Sequence, residues 1–246
     1  MASRPYALKI TEMLEKLSGA ASELNHPLFK AREVKRTALV LVTSDRGLAG
    51  AYNTNLIRGA EQRVRKAESG AVQLVLVGKK GRDYFRRRRV PVLATHTPVP
   101  AEASLEFARE LTQDLTQRFL SGEVDRVDLM FTRFISALNR KVTIETFLPV
   151  GAEKQDTSAA TGATIFEPDA ESIFAELLPR YATAKLFAAF ADALASEHSA
   201  RMIAMGSARK NAGELIDLLV LRRNRLRQAV ITKELLDIVG GAEALK

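Results

Sequence analysis

The chain has 246 residues, of which 46% are hydrophobic and 27% charged, enough apolar side chain to build a core and too much for a disordered segment. It contains no cysteine, which excludes a disulfide framework, a thiolate metal site and a cysteine nucleophile, and fits an intracellular, reducing setting. Its formal net charge of +8 predicts acidic partners, and no window reaches the about 18 uninterrupted apolar residues of a membrane span, so a soluble protein is expected.

The N-terminus MASRPYALKITEM has neither a secretion signal nor a transit pattern. From Pro5 to Leu24 the apolar residues Ile10, Leu14, Leu17, Ala21 and Leu24 recur at spacings of four and three, the narrow seam of a coiled coil. Asn25, His26 and Pro27 stop that helix, so residues 1–26 are predicted as an N-terminal coiled-coil segment.

The middle alternates. TALVLVT (37–43) and VQLVLVG (72–78) read as buried strands, separated by a helix from about Gly50 to Ser69 with Leu56, Ile57, Ala60 and Val64 on one side. Strand, helix, strand predicts a parallel unit with a right-handed crossover. Between the first strand and its helix lies SDRGLAGAYN (44–53), with Gly47 and Gly50. A helix N-terminus after a strand can hold a phosphate, yet this G-x-x-G is followed by neither the third glycine of a dinucleotide fingerprint nor Lys-Ser/Thr. A tight packing turn is therefore predicted, and GKKGRD (78–83) resembles a phosphate loop in composition only.

FRRRRV (85–90) is the densest basic run; its consecutive arginines point round a helix rather than along one face. Without interleaved aromatics, and with no Trp in the chain, it predicts a solvated helix end and no nucleic-acid contact. After the proline-punctuated VPVLATHTPVP, a second helix is expected over about 102–120, then a strand over 126–136 that turns at SALNRK into VTIETFLPV (142–150) as an antiparallel hairpin. The expected fold is an α/β domain over 27–165 with a Rossmann-like open mixed sheet of four or five strands. Its last residues, 151–165, are small and polar and read as a mobile loop.

Residues 166–246 are predicted as one long C-terminal helix. Ala, Leu, Arg and Glu dominate and no proline follows Pro179, which allows some 60 helical residues and roughly 90 Å. A seam of Met205, Ala208, Ala212, Leu215, Leu219, Leu226 and Ala229, interrupted by Arg222, calls for a partner helix. His26, His96 and His198 are not at metal-ligand spacing and no serine stands in G-x-S-x-G, so the residues alone predict a non-enzymatic α/β domain on a coiled coil, with no catalytic residue, metal or cofactor.

The C-terminal stretch ITKELLDIVGGAEA (231–244) resembles the signature of the gamma subunit of F-type ATP synthase, through Ile231, Thr232, Glu234, Asp237, Gly241, Ala242 and Ala244. NRLRQA (224–229), SEHSARMIAM (196–205), FEPDAESIFAELLPRY (166–181) and SDRGLAGAYN are similar to further motifs of that family, in the family's order. The resemblance implies a central rotor shaft that couples ion translocation through the membrane sector to ATP synthesis or hydrolysis, with the chemistry carried by beta subunits. The α/β domain would be inserted between N- and C-terminal helices that form an antiparallel coiled coil. The implied partners are the alpha, beta and epsilon subunits and the membrane c-ring, and the implied location is the cytoplasmic face of the bacterial inner membrane, peripheral and bound only through the complex. Carried over by motif, Arg201, Arg227, Gln228, Thr232, Glu234 and Asp237 would contact the hexamer, and Asp45, Arg46 and Tyr52 would form a second contact turn.

Relatives carry a longer helical stretch before Arg-Pro-Tyr (4–6), which leaves the coiled coil incomplete as the sequence stands; GSARKN (206–211) and Arg223 also depart from the family pattern. A stand-alone nucleotide-binding or regulatory α/β protein using the 44–53 turn stays as the alternative.

Overall fold

The computed structural model describes residues 27–30, 32–68, 70–150 and 170–243, the last segment with side chains over 177–240. The predicted helix over 1–26, the loop 151–165, the acidic entry at 166–169 and Ala244 lie outside the described residues. The chain divides into two compact units, Met1–Arg201 and Met202–Lys246.

In the first unit, strands β1 (Thr37–Val42), β2 (Val72–Val77), β3 (Val92–His96), β4 (Arg126–Phe134) and β5 (Arg140–Leu148) form one sheet in the order β3-β2-β1-β4-β5. The first four run parallel, and β5 returns antiparallel to β4, as the hairpin reading requires. Helices α1 (Tyr52–Lys66), α2 (Lys79–Phe85) and α3 (Leu105–Leu120) alternate with the strands, and α4 runs Ala170–Glu243.

The central strands are apolar throughout because both faces of the sheet are covered. Ala38, Val40 and Val42 of β1 face a cluster built from Leu111, Leu115 and Phe119 of α3 and Leu178, Leu186 and Phe190 of α4. Leu39 and Leu41, one residue out of phase, face Tyr52, Leu56 and Ala60 of α1 with Phe85. The first part of α4 is thus core of the α/β unit up to Ala193, with Ala200 joining the opposite cluster.

One element differs from the sequence reading. The proline-punctuated run contains β3, an edge strand without a buried alternating face, so it carries no strand period. The segment after β2 forms α2, which buries Gly81 and Phe85 and ends before the exposed Arg86 to Arg89, in keeping with the solvated helix end expected there. The second helix starts at Leu105 because the Ser104 side chain accepts the Phe107 N–H at 3.2 Å and fixes the N-cap there.

The second unit is helical over its described residues, and its apolar side chains are exposed. Leu215, Leu219 and Leu226 of the predicted seam are 52–60% accessible, and so are Ile216, Leu218, Leu221, Leu235, Leu236, Ile238 and Val239 at 57–68%. Leu236 continues the seam seven residues after Ala229; the others lie off it and, at 3.6 residues per turn, reach several sides of the helix. The apolar surface is wider than one coiled-coil stripe.

Candidate partner-contact sites

The turn after β1 is built by its own polar side chains. Asn53 accepts the Ser44 N–H at 3.0 Å through its amide oxygen and donates its amide N–H to Ser44 Oγ at 2.8 Å, while the Ser44 hydroxyl donates to the Arg46 carbonyl at 2.7 Å. Leu48 and Gly50 both take positive φ, 62° and 55°, so the chain reverses within a few residues. Gly50 suits that conformation for want of a Cβ.

Asp45 spends both carboxylate oxygens on its own chain. Oδ1 accepts the Lys79 N–H at 2.7 Å and Oδ2 accepts the Val99 N–H at 2.9 Å, tying the turn to the start of α2 and to the loop after β3. A carboxylate therefore already occupies the first backbone donor of α2, the donor that a phosphate at GKKGRD would use. Replacing Asp45 with alanine leaves both N–H groups without their acceptor and is expected to cost about 2 kcal/mol, measured by denaturant unfolding; a variant as stable as the parent would show that these bonds contribute nothing.

Of the three residues assigned to this turn as a contact, Arg46 is exposed and Asp45 half-buried. Tyr52 is a correction: it is 7% exposed, and its hydroxyl donates to the Ala193 carbonyl of α4 at 3.2 Å. A side chain held inside the unit cannot meet a partner. Burial raises its pKa well above the ordinary tyrosine value, the negative charge of Glu197 raises it further, and Arg201 opposes the shift. Because the unfolded phenol releases its proton near pH ~10 while the folded one keeps it, stability is complete below that pH and falls above it.

Arg201 lies on the same side. Its Nε–H donates to the Gly47 carbonyl at 3.3 Å and its Nη2 donates to Glu197 Oε1 at 2.5 Å, one helical turn away. The Glu197 side chain is only 12% accessible, so Arg201 neutralises a carboxylate that burial would otherwise penalise. Further along this face the Ser196 hydroxyl donates to the Thr132 carbonyl at 3.0 Å and Arg140 Nη1 donates to Ser199 Oγ at 3.1 Å. Tyr52, Ser196, Ser199 and Arg201 thus fasten α4 to the turn and to the hairpin. Sequence reasoning missed Glu197 and Ser196 as fasteners, although polar residues interrupting the Ala-rich run of α4 were a legible signal.

In the second unit, Arg227, Gln228, Thr232, Glu234 and Asp237 are all exposed. Arg227 and Glu234, seven apart, share one side of the helix; Gln228 and Thr232, four apart, share another. The Thr232 hydroxyl donates back to the Gln228 carbonyl at 2.9 Å. Beyond that bond the five stand apart from one another, a polar band among exposed leucines and isoleucines.

Residues 1–245 match the family model described as ATP synthase. A curated ATP synthase gamma chain of Moorella thermoacetica is 47% identical over 247 residues, covering 100% of this chain and 86% of the relative. That of Desulforamulus reducens is 42% identical over 245 residues, again covering 100% and 86%. Among solved structures, a chain of the Euglena gracilis mitochondrial ATP synthase in an assembly of OSCP, F1 and c-ring aligns with TM-score 0.65 at 18% identity, covering 99% of this chain and 91% of that one. A chain of the Tetrahymena thermophila mitochondrial ATP synthase central stalk and c-ring aligns with TM-score 0.59 at 18% identity, covering 85% and 100%.

Proposed function

Because this chain belongs to the family of ATP synthase gamma chains, we propose that it works as a rotor shaft, carrying torque between the membrane c-ring and a hexamer of alpha and beta subunits. It is a rotor subunit of ATP synthase by family. The finer reading is that it catalyses nothing itself and that the beta subunits hold the reacting nucleotides. The epsilon subunit would sit with the α/β unit, and the whole would lie at the cytoplasmic face of a bacterial inner membrane. No helix among the described residues is long and apolar enough to cross a membrane, which accords with attachment through the complex.

One observation carries this reading: the second unit exposes apolar side chains on several sides of a helix. A helix that exposes apolar side chains on several sides, between charged ones, is suited to more than one neighbour, because each uncovered apolar side chain would be left in water. An axial position inside a ring of subunits covers all sides together. The division of labour is a helix within the ring over 202–246 and a base over 27–201, with residues 1–26 as the second helix of the shaft.

Differential contacts of an asymmetric shaft with three sites would shift each through different conformations in turn. Arg227, Gln228, Thr232, Glu234 and Asp237 are the polar groups in the proposed contact, with bidentate hydrogen bonding from Arg227 to carbonyl or carboxylate groups of the beta loops. The test is reconstitution: the chain is expected to co-purify with alpha, beta and epsilon subunits and to restore ATPase activity to alpha and beta. Failure of both would sink the working role. Replacing Arg227 and Glu234 together by alanine is expected to lower coupled ATP synthesis about tenfold while the thermal midpoint of the isolated chain stays unchanged, since neither side chain is buried; unchanged synthesis would remove them from the contact.

A further inference from the structure

His96, the last residue of β3, and Asp114, on α3, come together as an unfinished pair. Nε2 of His96 stands 3.7 Å from Oδ2 of Asp114. Both atoms are shut off from water, and neither has a hydrogen-bond partner. The gap is beyond the reach of a hydrogen bond. Two polar atoms left bare inside a fold carry a desolvation cost that native structures rarely leave without a reason.

The surroundings limit what can complete the pair. Oδ1 of Asp114 accepts the Arg118 Nε–H at 2.9 Å, and Arg118 Nη1 donates to both oxygens of Glu123, at 3.1 and 3.0 Å. Asp114 is thereby held in one orientation, with Oδ2 left for the ring. On the other side β2 brings the apolar Val77 and backbone, the Gly78 N–H donating to the His96 carbonyl at 3.1 Å. Phe107 of α3 meets the imidazole edge to face, with centroids 6.4 Å apart, and packs in turn on Phe190 of α4. From α2, Arg82 Nη1 reaches Thr97 Oγ1 at 3.4 Å, and its charge is met by Asp83. Glu102, in the loop after β3, lines a small hollow with Phe107. Among the described residues, no carboxylate other than Asp114 lies within 4.0 Å of the ring nitrogens.

We propose that His96 and Asp114 form a proton-operated latch between β3 and α3. With a neutral ring, Nε2 either faces the carboxylate with a lone pair or carries a hydrogen too far away to bond. Protonation puts an N–H on both ring nitrogens, and an approach of about 0.8 Å then makes a charge-assisted hydrogen bond of about 2.9 Å. The proton is taken from solvent and returned to it, and no other bond changes. Imidazoles make this change between about pH 5 and 8, where carboxylates are ordinarily ionised. Arg118 shares the carboxylate and weakens the attraction, but it occupies the other oxygen and leaves the place open.

Closure reaches beyond the two side chains. Strand β3 has one neighbour in the sheet, β2, so a tie to α3 is a second anchor for its end. Three residues on, the Val99 N–H donates to Asp45 Oδ2 at 2.9 Å. Acidification therefore stiffens the end of β3 and, through Val99 and Asp45, the 44–53 turn. Every group in the latch belongs to the α/β unit, so the inference stands apart from the rotor reading.

The full chain tests it by amide hydrogen exchange between about pH 5.5 and about pH 8. The closed pair keeps a proton that the unfolded chain gives up, so the gain is complete in acid and is lost as the pH rises. Protection in β3 and in residues 97–104, corrected for the intrinsic rate, is expected to rise about tenfold from the upper to the lower pH. The rise is expected to vanish in H96Q and in D114N, and H96Q/D114N is expected to lose no more of it than either alone. Asp114→Asn also removes the charge beside Arg118, a loss common to every pH in this range, so only the part that varies with pH counts. Protection in β3 that is flat with pH overturns the latch, and so does a pH response that survives in H96Q or D114N. Should H96Q fail to fold, D114N and the parent's own pH response still decide.

Discussion

Arg201→Ala is expected to destabilise the α/β unit by about 2 kcal/mol, because it strands a nearly buried Glu197 carboxylate and frees the Gly47 carbonyl. The family resemblance makes Arg201 a contact to the hexamer; the geometry makes it a fastener between α4 and the 44–53 turn. The two readings separate cleanly in experiment. A fastener lowers the unfolding midpoint of the isolated chain, and pairing it with Glu197→Gln recovers part of the loss, since the variant no longer buries an unpaired charge. A pure partner contact leaves stability untouched and weakens assembly alone.

Gly78→Ala is the second large effect. Gly78 has φ of 95°, and a Cβ there would stand 2.2 Å from the Thr43 carbonyl oxygen and 2.7 Å from its carbon. Backbone on both sides cannot give way without breaking the β1 to β2 pairing, where the Thr43 N–H donates to the Val77 carbonyl at 2.8 Å. The neighbouring Gly81 N–H donates to Thr43 Oγ1 at 2.9 Å, so the disturbance reaches α2. A loss of about 3 kcal/mol or more is expected, read as a lowered denaturation midpoint and poor soluble yield. Gly50→Ala serves as the contrast: φ is 55° but nothing lies within 4 Å of the new Cβ, so about 1 kcal/mol of backbone strain is expected. If the two variants were equally stable, the close approach of Thr43 to Gly78 would be wrong.

These two glycines mark where sequence reasoning stopped. Gly50 belongs to a stretch read as a glycine turn and Gly78 to one that resembles a phosphate loop in composition only, and neither stretch says which glycine is sterically required. Gly47 takes an ordinary conformation, and a Cβ there would meet only the end of Lys80 at 3.8 Å. The ties that fix the 44–53 turn were also hidden, for Asp45 reaches two N–H groups 34 and 54 residues away. Tyr52 read as a surface contact because its buried partner, the Ala193 carbonyl, lies 141 residues further along the chain.

Local pattern alone determined a great deal: two apolar β-branched runs with an amphipathic helix between them, a hairpin built from the last two strands, and one long helix with no proline after Pro179. Each depends on residues a few positions apart, where period and turn chemistry act directly. The family motifs were legible for the same reason. What only the tertiary structure decided concerns residues far apart in sequence: β3 as an edge strand, α2 as a short connector, Arg201 paired to Glu197 against Gly47, and His96 set against Asp114 between β3 and α3. Burial and charge pairing are properties of neighbours in space, and a one-dimensional pattern does not state which neighbours the chain will meet.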